Sequence, residues 1–103
     1  MDLEKHFHKD MVEIYEKAKT DCGYIATRFI KMVAEKGGLV TAKELIIKEE
    51  DTYGFERLYA LKRLDLSVEA LVLKDKYKDL FTSYEKKKCK DRLKKYGYYK
   101  ERA

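Results

Sequence analysis

The stretch DLEKHFHKDMVEIYEKAKTDCG, residues 2–23, decides the fold class. Leu3, Phe7, Met11, Ile14, Tyr15, Ala18 and Cys22 recur in it at steps of three and four, the interval that lines side chains along one side of an α-helix. No other part of the chain repeats so regularly, so the first helix is predicted over residues 2–22 with Gly23 as its stop.

Working outward from that helix, the same reading applies segment by segment. A second helix is predicted from Tyr24 to Lys36, burying Ile25, Ala26, Phe29, Ile30, Met32 and Val33 before Gly37-Gly38 end it. Leu39, Ala42, Leu45 and Ile46 continue at helical spacing to Lys48, although Val40, Thr41, Ile46 and Ile47 are β-branched and weaken the helical preference. Glu49-Glu50-Asp51-Thr52 reads as a surface loop, with Asp51 or Thr52 capping a fourth helix that carries Phe55, Leu58, Tyr59 and Leu61. A turn at Arg63–Ser67 follows, with Asp65 or Ser67 as the cap of a helix that turns Val68, Leu71, Val72 and Leu73 inward. Leu80 and Phe81 dock the next segment. Thr82 and Glu85 have the spacing of a capping box and start the last helix, predicted over residues 82–97.

The expectation is therefore an all-α, compact bundle of five to six short helices in a single domain spanning residues 1–103. The chain contains no proline, five glycines and no tryptophan, a composition that favours long uninterrupted elements. No apolar run approaches the roughly 18–20 residues that cross a bilayer, and MDLEKHFHKD lacks the layout of a signal peptide, so a cytoplasmic setting is expected. Cys22 and Cys89 stand far apart, without a CxxC pair or a histidine doublet at zinc spacing, and both fall on apolar arcs. They read as small buried hydrophobes, and no metal or cofactor is expected.

Charge is unevenly spread. Residues 74–103 hold 12 Lys and Arg against 5 Asp and Glu, net +7, while residues 1–73 are net −2. The last helix concentrates this excess: at about 100° per residue, Lys86, Lys90 and Lys94 form a ridge with Lys87 beside it. Lys88, Arg92 and Lys95 form a second basic row, and Cys89, Leu93 and Tyr96 form the apolar arc between them. Like charges four apart cost a helix roughly 0.2–0.5 kcal/mol per pair. A polyanion would relieve that cost, and nucleic acid is the usual one because lysines on phosphates release counterions. Tyr96, Tyr98 and Tyr99, interleaved with Lys94, Lys95 and Lys100, have the chemistry to stack on exposed bases.

Two other readings compete for the same lysines. They can form a solvated face without a partner, or they can face Asp2, Asp10, Glu13 and Glu16, which share one side of the first helix with His6. In a second copy of the chain, that mixed face would instead give a homodimer. His6 with Asp10 is weak as a metal pair.

Several phrases, GYIATRFIKMV at 23–33, GGLVTAKELI at 37–46, GFERLYALKRLDLSVEALVL at 54–73 and the closing YGY at 96–98, resemble a family of small stand-alone bacterial proteins of uncharacterised function. The resemblance implies a helical fold and a bacterial cytoplasm, and it carries no activity, cofactor or catalytic residue. Its pattern reads GRLDL at the turn, where this chain has Lys62 before Arg63, and its last helix is more mixed in charge.

A helix-turn-helix reader over Phe55–Leu73 is disfavoured, because Val68, Glu69 and Ala70 occupy the base-reading places and the chain has no Asn or Gln. No nucleophile elbow, phosphate-binding glycine loop or paired-carboxylate motif is present. The expected function is a binding module without catalytic activity. It contacts a polyanion, nucleic acid without sequence preference, through Lys86, Lys87, Lys90, Lys94, Tyr98 and Tyr99. The alternative is a protein-interaction module, an adaptor or an inhibitor from a mobile element, docking through an apolar or tyrosine-rich face.

Overall fold

Asp2 opens the first helix by accepting a hydrogen bond from the Glu4 amide at 3.0 Å, which satisfies one of the donors that a helix start leaves unpaired. The helix, α1 (Leu3–Cys22), ends at Gly23, whose φ of 68° lies in the left-handed region that favours glycine. This is a computed structural model that describes residues 2–98. It continues through α2 (Thr27–Lys36), α3 (Gly38–Ile46), α4 (Tyr53–Ala60), a 3₁₀ turn at Leu64–Leu66, α5 (Val68–Val72), a 3₁₀ segment at Asp75–Leu80 and α6 (Ser83–Lys95). Six α-helices and no strand are present among the described residues.

Local chemistry accounts for most of the boundaries. Thr52 accepts from the Phe55 amide and Ser67 from the Ala70 amide, each at 3.1 Å. At Thr82 the capping box is complete: the Thr82 hydroxyl accepts from the Glu85 amide and Glu85 Oε1 accepts from the Thr82 amide. Several boundaries differ from the sequence reading, and the last helix, expected over residues 82–97, runs Ser83–Lys95 because the chain turns at Tyr96 and Gly97. The second helix starts at Thr27 rather than Tyr24, without a side-chain cap, and Ile25 stands 56% exposed on the intervening segment. The third starts at Gly38 and its hydrogen-bonded turns end at Ile46. Gly38 can begin a helix there because it touches α1: its amide donates to His8 Nδ1 at 2.9 Å, and a Cβ on it would sit 2.7 Å from the His8 Cα.

Two clusters form the core. In the larger, Phe7 and Met11 of α1 pack with Val33, Ala42, Ile46, Val72, Tyr77 and Cys89. Phe7 meets Tyr77 and Phe81 edge-on, with ring centroids 5.0 and 5.3 Å apart. The smaller joins Ala18, Phe55, Leu58, Leu64, Leu66 and Leu93. Each large side chain removed from water here contributes roughly 1.5–3 kcal/mol, so the apolar stripe of α1 organises the bundle: it packs on α2, α3 and α5. α6 lies against α5 and α3, and this placement decides which of its cations meet solvent.

Candidate polyanion-binding face

α6 turns Cys89 and Leu93 into the core, where they are 0% and 1% exposed. Burial, then the nearby Glu69 carboxylate, pushes the Cys89 thiol well above its ordinary range, which leaves it protonated and unreactive. The helix ends in a left-handed glycine motif, with the Gly97 amide bonded to Lys94 O and the Tyr98 amide to Leu93 O.

The second basic row is not a basic surface. Arg92 is 7% exposed and sits inside the protein, with Nη1 2.8 Å from Glu69 Oε2, Nη2 2.6 Å from the Lys48 carbonyl and Nε 3.1 Å from Asp51 Oδ1. Glu69, itself 3% exposed, has its carboxyl pushed upward by burial, against the pull of Arg92. Lys95 approaches Asp51 at 3.5 Å and Lys88 approaches Glu49 at 3.8 Å. Positive charge therefore does not wrap the helix outside its apolar arc; one flank is neutralised by Glu49, Asp51 and Glu69. Arg92 escaped the sequence reading because its partners lie 23 and more residues away. The available signal was Glu69 itself, a lone carboxylate in the otherwise apolar VEALV of α5.

Tyr96 is likewise engaged. Its hydroxyl donates to Asp51 Oδ2, and its ring packs edge-on against Phe55 and Tyr59 at 5.1 and 4.7 Å. The bond to Asp51, then burial, pushes its phenol up to about 12. It is not available to stack on a base.

The ridge has a different environment. Lys87 pairs with Asp91 four residues on at 2.8 Å, both ends well exposed, so solvent screening leaves the pair little weight in stability. Lys86 donates to the Lys78 carbonyl at 3.1 Å, which fixes its amine without cancelling its charge. Lys90 has no ion pair among the described residues, and Lys94 is exposed. Lys86, Lys87, Lys90 and Lys94 thus form a ridge beside the core arc of α6, with Lys87 and Lys94 exposed and Lys86 and Lys90 half-buried. Tyr98 is not among them: 47% exposed, it lines a mixed basin whose charged residues are Asp10, Glu13, Lys17, Asp65 and Lys74. Tyr99 and Lys100 lie outside the described residues.

No family model matches the chain, and neither a curated protein nor a solved structure does. The reading of function therefore rests on side-chain chemistry alone.

The carboxylates of α1 do not answer the cations of α6 in the pairs just described. Asp10 accepts from the Tyr77 hydroxyl and pairs with Lys76 at 3.3 Å, Glu13 pairs with Lys17 at 3.2 Å, and Asp2 caps its own helix. Arg63 grips Asp65 through Nε and Nη2 at 3.0 and 3.2 Å and reaches Asp21 at 3.4 Å. Val68 and Glu69, the first residues of α5, are buried, which removes them from any base edge. No helix among the described residues is long and apolar enough to cross a membrane.

Proposed function

We propose that the protein is a small binding module that contacts a polyanion, nucleic acid without sequence preference, through the Lys86–Lys94 ridge of α6. The carrying observation is the division of that helix. Arg92, Lys88 and Lys95 face carboxylates from other parts of the fold, whereas Lys86, Lys87 and Lys90 meet one exposed carboxylate of their own helix, Asp91, and a backbone carbonyl. Lysines held by a rigid, capped helix present a fixed row of charge to phosphates, and binding is driven by counterion release. Recognition is then insensitive to sequence, since phosphate contacts position a protein without reading bases.

The test is a fluorescence-anisotropy titration with mixed-sequence DNA and RNA. With three to four phosphates neutralised on duplex DNA, log K should fall against log salt with a slope of about −3 to −4. The triple variant Lys86→Glu, Lys90→Glu, Lys94→Glu should lose binding. A charge-matched control on α1, Lys5→Glu, Lys9→Glu, Lys19→Glu, should keep most of it. No binding at low salt, or equal loss in both variants, would reject the reading.

The exposed Ile25, Val40, Ile47 and Tyr53 favour a second reading, a protein-interaction module. A complex of that kind is held by apolar burial and barely responds to salt.

A further inference from the structure

The sequence demands a cover for Ile25, Phe29 and Met32, and the fold does not supply one. Ile25 is 56% exposed, and Phe29 and Met32 are only half-buried, although all three lie on the apolar side of the second helical segment. The chain before Thr27 is unwound, and α2 stands away from α4 across a groove of about 670 Å³. Its floor reaches buried residues of both core clusters, Phe55, Leu58, Leu66 and Val68. That volume is the size of a small-molecule site, usually 300–1,000 Å³, and the walls are mainly apolar.

The charged side chains lining this groove are three cations and one carboxylate, among neutral hydroxyls of Thr27, Thr52 and Ser67. Arg28, Lys48 and Arg57 line it, all exposed, and none has an ion pair among the described residues. The one carboxylate in the lining is Glu69, already bonded to Arg92. Tyr24 crosses toward the start of α4, where a Cβ on Gly54 would lie 3.5 Å from its hydroxyl, and that hydroxyl has no hydrogen-bond partner among the described residues. An apolar trough edged by three uncompensated cations complements a molecule with an apolar body and an anionic head.

We propose that this groove binds an anionic amphiphile, a single long-chain carboxylate, with its chain against Phe29 and Met32 and its head toward Arg28, Lys48 and Arg57. The groove does not involve the lysines of α6, so this site and the polyanion face stand or fall separately. A groove of about 670 Å³ holds one small molecule, whereas an amphipathic helix needs a trough several turns long.

Titration of the full chain with sodium dodecanoate below its micelle concentration, followed by amide chemical shifts, tests the assignment. Saturable shifts should centre on residues 24–32 and 53–58. Because a hydrogen bond to a charged group contributes roughly 1.5–3 kcal/mol, Arg28→Glu with Arg57→Glu should weaken binding about tenfold or more. Dodecanol and dodecylammonium should bind at least as weakly to the unchanged protein. Met32→Trp should fill the trough and block binding, while the Lys86, Lys90, Lys94 triple variant should bind dodecanoate as before. The arginine variant alters only exposed side chains, so it remains informative if Met32→Trp fails to fold. Absence of shifts in the groove, equal affinity for dodecanol, or shifts confined to α6 would overturn the proposal. So would a dimer, seen by sedimentation, whose interface covers the groove and excludes dodecanoate.

Discussion

Lys62 carries a backbone cost that glycine would remove. Its φ is 62°, and it stands at the left-handed position closing α4, where the Lys62 amide bonds to Tyr59 O and the Arg63 amide to Leu58 O at 2.8 Å. A residue with a Cβ pays about 1–2 kcal/mol there, offset in part by the greater freedom glycine has when unfolded. Lys62→Gly should therefore stabilise by about 0.5–1 kcal/mol and raise the melting temperature by a few degrees; a calorimetric scan showing no rise would contradict the geometry. Thr41 offers a second test. It is 0% exposed and its Oγ1 has no hydrogen-bond partner among the described residues, so Thr41→Val removes an unsatisfied hydroxyl while keeping the shape. The expected gain is about 1 kcal/mol in urea unfolding, and a loss would mean that the hydroxyl is satisfied after all.

At the level of elements, the signals that lie within one helical turn were legible and those that cross the chain were not. The cap at Thr82 and the stop at Gly23 could be read, and those at Thr52 and Ser67 narrowed to two candidates each, because donor and acceptor sit within a few residues of each other. The ridge from Lys86 to Lys94 could be read because helical geometry alone fixes it. The late start of α2, the burial of Glu69 and the inward course of Arg92 depend on partners far along the sequence, so composition placed Arg92 among surface cations. Its role gives a sharp test. Arg92→Ala would leave Glu69 and Asp51 without their buried partner and should cost about 3–5 kcal/mol, measured as a shift in the urea midpoint. Combining Arg92→Met with Glu69→Leu removes both charges and should recover part of that loss. If the double variant were as unstable as the sum of the single ones, the two side chains would not be coupled.

Across the whole molecule, three carboxylates hold separate elements together, and their titration sets the response to acid. Asp10 joins α1 to Tyr77, Asp51 joins the loop before α4 to Arg92 and Tyr96, and Glu85 joins α6 to Lys43 at 2.8 Å. Burial raises each carboxyl, but the hydrogen bonds and cations on it prevail, and all three lie below their ordinary values. A group whose folded pKa is depressed contributes stability above its unfolded pKa and loses it as pH falls through the folded one. Glu69 works in the opposite sense, because burial raises it and the folded chain takes up that proton more readily than the unfolded one. These three carboxylates, with Asp91 also held low by Lys87, outweigh the raised Glu69 and predict that stability falls as pH drops below about 4, the slope being set by the excess of protons bound on unfolding. Urea midpoints measured from pH 7 to pH 3 should hold until the carboxylate range and then decline, and Asp51→Asn should make the decline shallower from a lower starting point. A midpoint unchanged between pH 5 and pH 3 would show that these bonds do not persist in solution. It would also remove the support for a committed flank on α6, since Asp51 is the carboxylate that holds Arg92, Lys95 and Tyr96 away from any external anion.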